Sequence, residues 1–260
     1  MSNGAEVSAS RFRISVIVPS WRDADNLALL LPKLARLAGI AETIVVDATG
    51  DAVSEGIARE CGATFLRCVA PNRGAQINTG AMSASGDVLI FQHADTDLEE
   101  AHVRAIEVAL GDPEIIGGAF YRKFDDRHPR LRWLEQVARF LTRTGGSLYG
   151  DQSVFVRREV FLRLKGFAEI PLMEDMEFSR RLRAAGRIAV LDPPVQSSAR
   201  RHTREGAWKV SIQNGLFILL YKLGVSPARL HRWYYARHNE SVALKHEPRS
   251  VDAPVSVSLE

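Results

Sequence analysis

An α/β fold, with a mostly parallel central sheet flanked by helices, is what this 260-residue sequence predicts. Three observations support the prediction. Short β-branched runs alternate with stretches whose apolar residues fall at helical spacing, the pattern of strands joined by crossover helices. The stretch from Asp87 to Gln92 is apolar enough to be a strand covered on both faces. Finally, Pro19, Asp47 and Asp95 all fall where such runs stop, and ligands of open α/β sheets bind beyond the carboxyl ends of the strands.

Taken in order, Ile14 to Val18 is a strand closed by Pro19, and Leu27 to Leu37 has the spacing of a helix. Thr43 to Val46 is a strand ending at Asp47, a helix follows over 52–61, and Ala63 to Leu66 begins a third strand. Ala75 to Ser85 reads as a helix whose small residues permit close packing, and the strand at 87–92 delivers Asp95-Thr96-Asp97 at its end. After a helix over 98–110, Asp112-Pro113 breaks the chain and Gly117 to Phe124 forms a strand of different character. Regular alternation is then lost. An amphipathic stretch at 131–141, a flexible Gly145-Gly146 link, a strand at 153–156 and a helix at 158–164 come next. A helix at 173–185 ends at Gly186, and a strand at 187–191 is expected to stop before Pro193-Pro194.

Length and an apolar fraction of 46% suffice for one large α/β domain or two small ones. Met1 to Ser10 is small and polar, so no signal peptide is expected. The longest apolar run, Leu216 to Tyr221, is far short of the roughly 20 residues of a membrane span. Cys61 and Cys68 have no metal-ligand spacing and read as free thiols of a cytoplasmic protein. The net charge of +3 hides an asymmetry, about −5 over residues 1–110 and about +8 over 111–260. The basic part lacks any nucleic-acid-binding signature, so nucleic acid is not an expected partner, and phosphorylated substrates or an anionic membrane surface fit its charge equally well.

The chemistry centres on Asp95-Thr96-Asp97. In extended backbone Asp95 and Asp97 point to one side and Thr96 to the other, so the pair can converge on a hard cation, Mn²⁺ or Mg²⁺, that also binds a ligand phosphate. On its own, Asp-x-Asp is more often a solvated turn. Arg73, at the start of Arg73-Gly-Ala-Gln-Ile-Asn-Thr-Gly80, is a solvated helix-start residue or a partner for a base or phosphate. Glu174-Asp175 complements a helix N-terminus or supplies a carboxylate base, for which Asp175 is the choice. Arg200, Arg201 and Arg204 form a basic cluster suited to a departing diphosphate, unless they are simply solvated. His93 and His202 are candidate metal ligands, though packing is the commoner role for such a residue. The stretch from Trp208 to Leu223 is a core-packing, membrane-surface or dimer helix.

In sequence order, Val16 to Pro19, Ile44 to Asp47, Arg73 to Asn78, His93 to Asp97, Gly150-Asp-Gln152 and Glu174 to Phe178 resemble the motifs of family 2 glycosyltransferases. The likeness spans roughly 12–195. His93-Ala-Asp-Thr96, Tyr149-Gly-Asp-Gln152, Glu174 to Arg187 and Leu219 to Pro227 are similar to a bacterial subgroup of small stand-alone transferases. The resemblance implies a GT-A fold, a nucleotide-diphosphate sugar donor, a divalent metal and inversion at the anomeric carbon. By motif it implies that Pro19, Asp47, Arg73 and Asp95 bind the donor, with Asp97 and Asp95 on the metal. Asp151 and Gln152 then lie near sugar and acceptor, and Asp175, beside Glu174, is the catalytic base. The chain reads Asp47-Ala-Thr-Gly-Asp51 where the family often has a second acid followed by Gly-Ser, which leaves UDP as first choice of base and GDP or dTDP as the next.

The expected organisation is a flexible terminus at 1–11, a donor-binding half at 12–110, an acceptor and catalytic half at 111–200, a basic helical extension at 201–244 and a flexible tail. The acceptor is an unspecified hydroxyl, a lipid-linked one being an option, and peripheral attachment to the inner membrane face and a homodimer are both open. A nucleotidyltransferase is the nearest rival, but Pro19 to Asp25 contains no glycine for a phosphate loop. A non-catalytic scaffold is the other, against which Asp95, Asp97 and Asp175 argue.

Overall fold

The structure is a computed structural model of the chain, describing residues 12–126, 128–199, 203 and 206–243. Eight strands form one sheet: β1 Ile14–Ser20, β2 Ile40–Asp47, β3 Thr64–Arg67, β4 Val88–Phe91, β5 Thr96–Asp97, β6 Ile115–Phe124, β7 Val154–Arg157 and β8 Arg187–Ser197. Their order is β3-β2-β1-β4-β7-β6-β8-β5. The first half is wholly parallel, with β1 between β2 and β4 and β3 outside β2. β7 runs antiparallel to both β4 and β6, β8 lies parallel to β6, and β5 closes the far edge antiparallel to β8.

Helices α1 Ala24–Leu34, α2 Ala52–Glu60, α3 Arg73–Ser83, α4 Glu100–Leu110, α5 Pro129–Arg143, α6 Arg158–Arg163 and α7 Glu174–Ala185 connect the strands, and α8 Ala207–Lys222 and α9 Pro227–Ala243 follow them. Successive residues of β1 feed opposite layers. Val16 and Val18 pack with Leu27, Leu30, Leu31 and Leu34 of α1, whereas Ile17 packs with Ile77 and Ala81 of α3 and with Phe161 and Phe178. A strand covered on both faces has no polar side to show, which is why the run at 14–18 is continuously apolar.

Two local features fix the layer that bears the site. Gln76, buried on α3, donates its amide to the carbonyls of Ser20 and Val46 at 2.7 and 2.8 Å, tying the ends of β1 and β2 together. Gly80, one turn further on, lets the helix lie directly on the sheet, since a Cβ there would stand 2.6 Å from Ile17 Cγ2 and 3.0 Å from Val46 Cγ2. Gly80→Val should therefore cost about 1–3 kcal/mol through overpacking, read as a lower urea midpoint with an unchanged slope.

Pro193-Pro194 does not end the last strand, because β8 continues to Ser197. Its register against β6 slips between Phe120, which faces Leu191, and Arg122, which faces Val195, so the prolines occupy an irregularity that asks no ladder hydrogen bond of them. That continuation matters for the site, since Gln196 and Ser197 pair with Asp97 and Thr96 and hold the acidic segment at the sheet edge.

Candidate active site

Beyond the carboxyl ends of β1 and β4 lies a cleft of about 340 Å³, lined by Pro19 and Trp21 after β1, Arg73 of α3, His93 and Asp95 after β4, Glu174 of α7, and Tyr234 and Tyr235 of α9. Five residues selected from sequence therefore share one cleft: Pro19, Arg73, His93, Asp95 and Glu174. Asp175 lies just beneath, in a small apolar recess formed with Phe91, Phe167 and Phe178. The rings of Phe167 and Phe178 stack with centroids 4.2 Å apart, and Phe91 meets Phe167 edge-on at 5.0 Å.

Arg73 is the hub of the charged groups. Asn72 caps α3 by accepting from Ala75 N, which sets Arg73 at the first helical position. Its Nε donates to Glu174, whose side chain is almost fully buried, and its Nη1 stands 3.2 Å from His93 Nε2. The neighbouring acids Glu174, Asp175 and Asp151 push the affinity of Arg73 for its proton up, despite burial. His93 is driven the other way, by burial and then by the Arg73 charge, so its imidazole is held neutral. Gly150 makes room for that ring, because a Cβ would sit 2.5 Å from His93 Nε2.

Asp175 heads α7 with Glu174. Its Oδ2 accepts from Gly150 N at 3.1 Å and its Oδ1 from Met176 N at 2.7 Å. Burial over the phenylalanine floor, and then the adjacent Glu174 charge, push its carboxyl from 3.8 up to about 6, with Arg73 and the two amides only partly offsetting them. A carboxylate poised near neutrality beside a cleft is suited to taking a proton.

The other selected residues are placed as follows. Asp151 pairs with Arg122 of β6, and although burial works to raise its pKa, the Arg122 charge and hydrogen bond, helped by Arg73, hold it below the ordinary value. Gln152 is buried with its side chain turned inward, accepting from Tyr149 N at 2.8 Å and reaching Thr142 of α5 at 3.4 Å. Asp47 is fully buried at the end of β2, where it accepts from Ser20 Oγ, Thr49 N and Gly50 N at 2.9, 2.8 and 2.6 Å. Asp51 caps α2 through Val53 N and Ser54 N. Thr96 points into the interior while Asp95 is exposed and Asp97 half-exposed, the alternation expected of extended backbone, and Lys33 of α1 reaches Asp97 Oδ1 at 2.5 Å. Arg200, Arg201, His202 and Arg204 lie outside the described residues.

Trp21 and the α9 residues His231, Tyr234 and Tyr235 also border the cleft, and Arg122 pairs with Asp151, none of them singled out by a sequence motif. His231, Tyr234 and Tyr235 reach the site because α9 lies along the cleft, a placement no local pattern announces.

No family model matches the chain, and no curated protein sequence matches it either. Solved structures do. The mannosyltransferase PcManGT from Pyrobaculum calidifontis, in complex with GDP-Man and Mn²⁺, superimposes with a TM-score of 0.61 at 19% identity over 92% of this chain and 76% of that one. TarS 1-349 from S. aureus, in complex with UDP-GlcNAc, gives 0.58 at 16% identity over 72% and 58%. Glucosyl-3-phosphoglycerate synthase from Mycobacterium tuberculosis, in complex with Mn²⁺, UDP and glucosyl-3-phosphoglycerate, gives 0.53 at 18% identity over 72% and 71%. The chain has the GT-A fold of these nucleotide-sugar transferases.

Proposed function

We propose that the protein is an inverting glycosyltransferase that moves a sugar from a nucleotide-diphosphate donor, a UDP-sugar before a GDP- or dTDP-sugar, to a hydroxyl acceptor. The observation that carries the reading is Asp175. It is a carboxylate raised to about 6 over an apolar floor, beside a cleft lined by Arg73 and Asp95. The complexes of the structural neighbours with GDP-Man, UDP-GlcNAc and UDP support a donor of this class.

In this reading Asp175 accepts the acceptor's hydroxyl proton as that oxygen attacks the anomeric carbon from the side opposite the diphosphate, in a single displacement with no covalent enzyme intermediate. Arg73, held against Glu174, presents positive charge to the cleft for the departing diphosphate. His93, Arg122 and Asp151 brace that arrangement from below, and the buried carboxylate of Asp47 shapes the loop at 47–50 beside the nucleoside end.

The acidic pair suits a divalent ion once Lys33 gives up Asp97, which it holds at 2.5 Å. Asp95 and Asp97 lie to one side of the inward-pointing Thr96, and Mn²⁺ or Mg²⁺ is commonly held by one or two carboxylates with the remaining ligands drawn from substrate phosphates and water. Among the described residues no group of three or more acids, His or Cys is arranged for a metal, so such an ion depends on the diphosphate to complete its shell. When bound, it neutralises diphosphate charge; the neighbours crystallised with Mn²⁺ support that choice.

The test is a calorimetric titration of UDP with and without Mn²⁺. Mn²⁺ should tighten binding at least about tenfold, a differential of about 1.4 kcal/mol. The double variant Asp95→Asn/Asp97→Asn should erase that difference. Metal-independent UDP binding that Asp97→Ala leaves untouched would remove the metal from the account.

A further inference from the structure

The α8 helix is apolar on both faces. Its inner side is packed, with Val210 and Phe217 buried, Phe217 edge-on to Tyr234 of α9 at 5.7 Å, and Tyr221 close enough to feel the charges of Glu177 and Arg180 on α7. Its outer side is equally apolar. Trp208, Ile212, Leu216, Leu219 and, just past the helix, Leu223 are between 43% and 72% exposed. Their spacing of four, four, three and four residues draws one stripe of about 22 Å along the helix. At one end Trp208 leans on the half-exposed Trp133 of α5, with ring centroids 5.2 Å apart, which broadens the patch. A continuous apolar surface of this kind marks an interaction site.

Charge identifies the occupant. From residue 207 to 236 the chain has no aspartate or glutamate, while Lys209, Lys222, Arg229 and Arg232 flank or follow the stripe. A second copy docked on the same face would set Lys209 and Lys222 against their like, whereas an anionic surface attracts both. Tryptophans at the edge of an apolar stripe also suit the boundary between headgroups and acyl chains. No helix among the described residues is long and apolar enough to cross a membrane, so the stripe can only lie on one.

We propose that the outer face of α8, with Trp133 beside it, docks the protein on an anionic lipid bilayer. The docking does not depend on the transfer reaction proposed above. Where both hold, the acceptor is one carried in the membrane, because Tyr234 links α8 to the cleft and Tyr221 lies within electrostatic reach of Asp175.

Vesicle sedimentation of the full chain tests this, with phosphatidylcholine alone and with one part phosphatidylglycerol to two parts phosphatidylcholine. Wild type should pellet with the anionic vesicles at low salt. Ile212→Ser/Leu219→Ser, two exposed positions away from the cleft, should weaken partitioning at least about tenfold. Lys209→Glu/Lys222→Glu should abolish the preference for anionic over neutral vesicles while leaving the thermal unfolding midpoint unchanged. The proposal is overturned if wild type stays in the supernatant, or if the Ser variant pellets as well as wild type. It is also overturned if light scattering finds a dimer that the Ser variant dissociates, since the face would then belong to a second copy.

Discussion

Asp175→Asn is expected to lower turnover by about 10²–10⁴-fold while UDP binding stays close to that of wild type. The amide keeps the shape of the side chain and one of its two backbone bonds, from Gly150 N or Met176 N, but cannot take a proton. Wild-type turnover should rise with pH through about 6 and level off above it, as Asp175 ionises, and the variant's residual rate should lack that step. Retained turnover would take Asp175 out of the mechanism.

The same carboxyl makes a stability prediction of opposite sense. Its folded-state pKa stands above the ordinary 3.8, so the folded protein binds that proton more tightly than the unfolded chain, and ionisation between 3.8 and about 6 works against folding. Asp175→Asn removes that cost. The variant should be more stable than wild type at pH 7 by about 1–2 kcal/mol, a figure reduced for the partial exposure of the site. The advantage should shrink as pH falls through 6 and vanish below 3.8. Urea midpoints at pH 7 and at an acid pH near the lower limit measure both ends. A variant both less active and more stable is hard to explain by misfolding.

Arg73→Ala is the second large effect. It strands the buried Glu174 carboxylate without its partner, and breaking a pair of this kind costs about 2–3 kcal/mol once the partial exposure of the guanidinium is allowed for. It also takes away a positive charge that favours ionised Asp175, so the pH profile of any remaining turnover should move to higher pH. Glu174→Gln should move the profile to lower pH, since it removes the adjacent negative charge. Opposite displacements by two halves of one ion pair are a signature that general loss of structure does not give. Displacements of the same sign would show that Asp175 does not respond to this pair.

The parallel half of the fold was legible because burial on both faces writes itself into sequence. Val16, Ile17 and Val18 serve two layers at once, and no polar residue can interrupt them. β8 outruns its sequence signature because a proline pair normally halts a strand, and nothing local to Asp192-Pro193-Pro194 reveals that a register slip accommodates it. At the site, spacing singled out Arg73, Asp95 and Asp175, whose positions follow from being at the ends of β-strands or the starts of helices. It was silent on contacts made across long separations. Lys33 on Asp97, Arg122 on Asp151 and the α9 tyrosines over the cleft are products of packing, and so is the inward turn of Gln152. The elevated pKa of Asp175 belongs to the same class, for its cause is a cluster of phenylalanines drawn from β4, α7 and the loop after α6.

The central claim is that this cleft activates a sugar held on a nucleoside diphosphate. Its most direct test is release of nucleoside diphosphate from a panel of UDP-, GDP- and dTDP-sugars incubated with wild-type protein and Mn²⁺, run beside Asp175→Asn and Arg73→Ala. Slow release is expected from at least one donor, UDP-sugars first, and should be strongly lowered in both variants, by about 10²–10⁴-fold in Asp175→Asn. No release from any donor, or release that persists undiminished in Asp175→Asn, would contradict the claim.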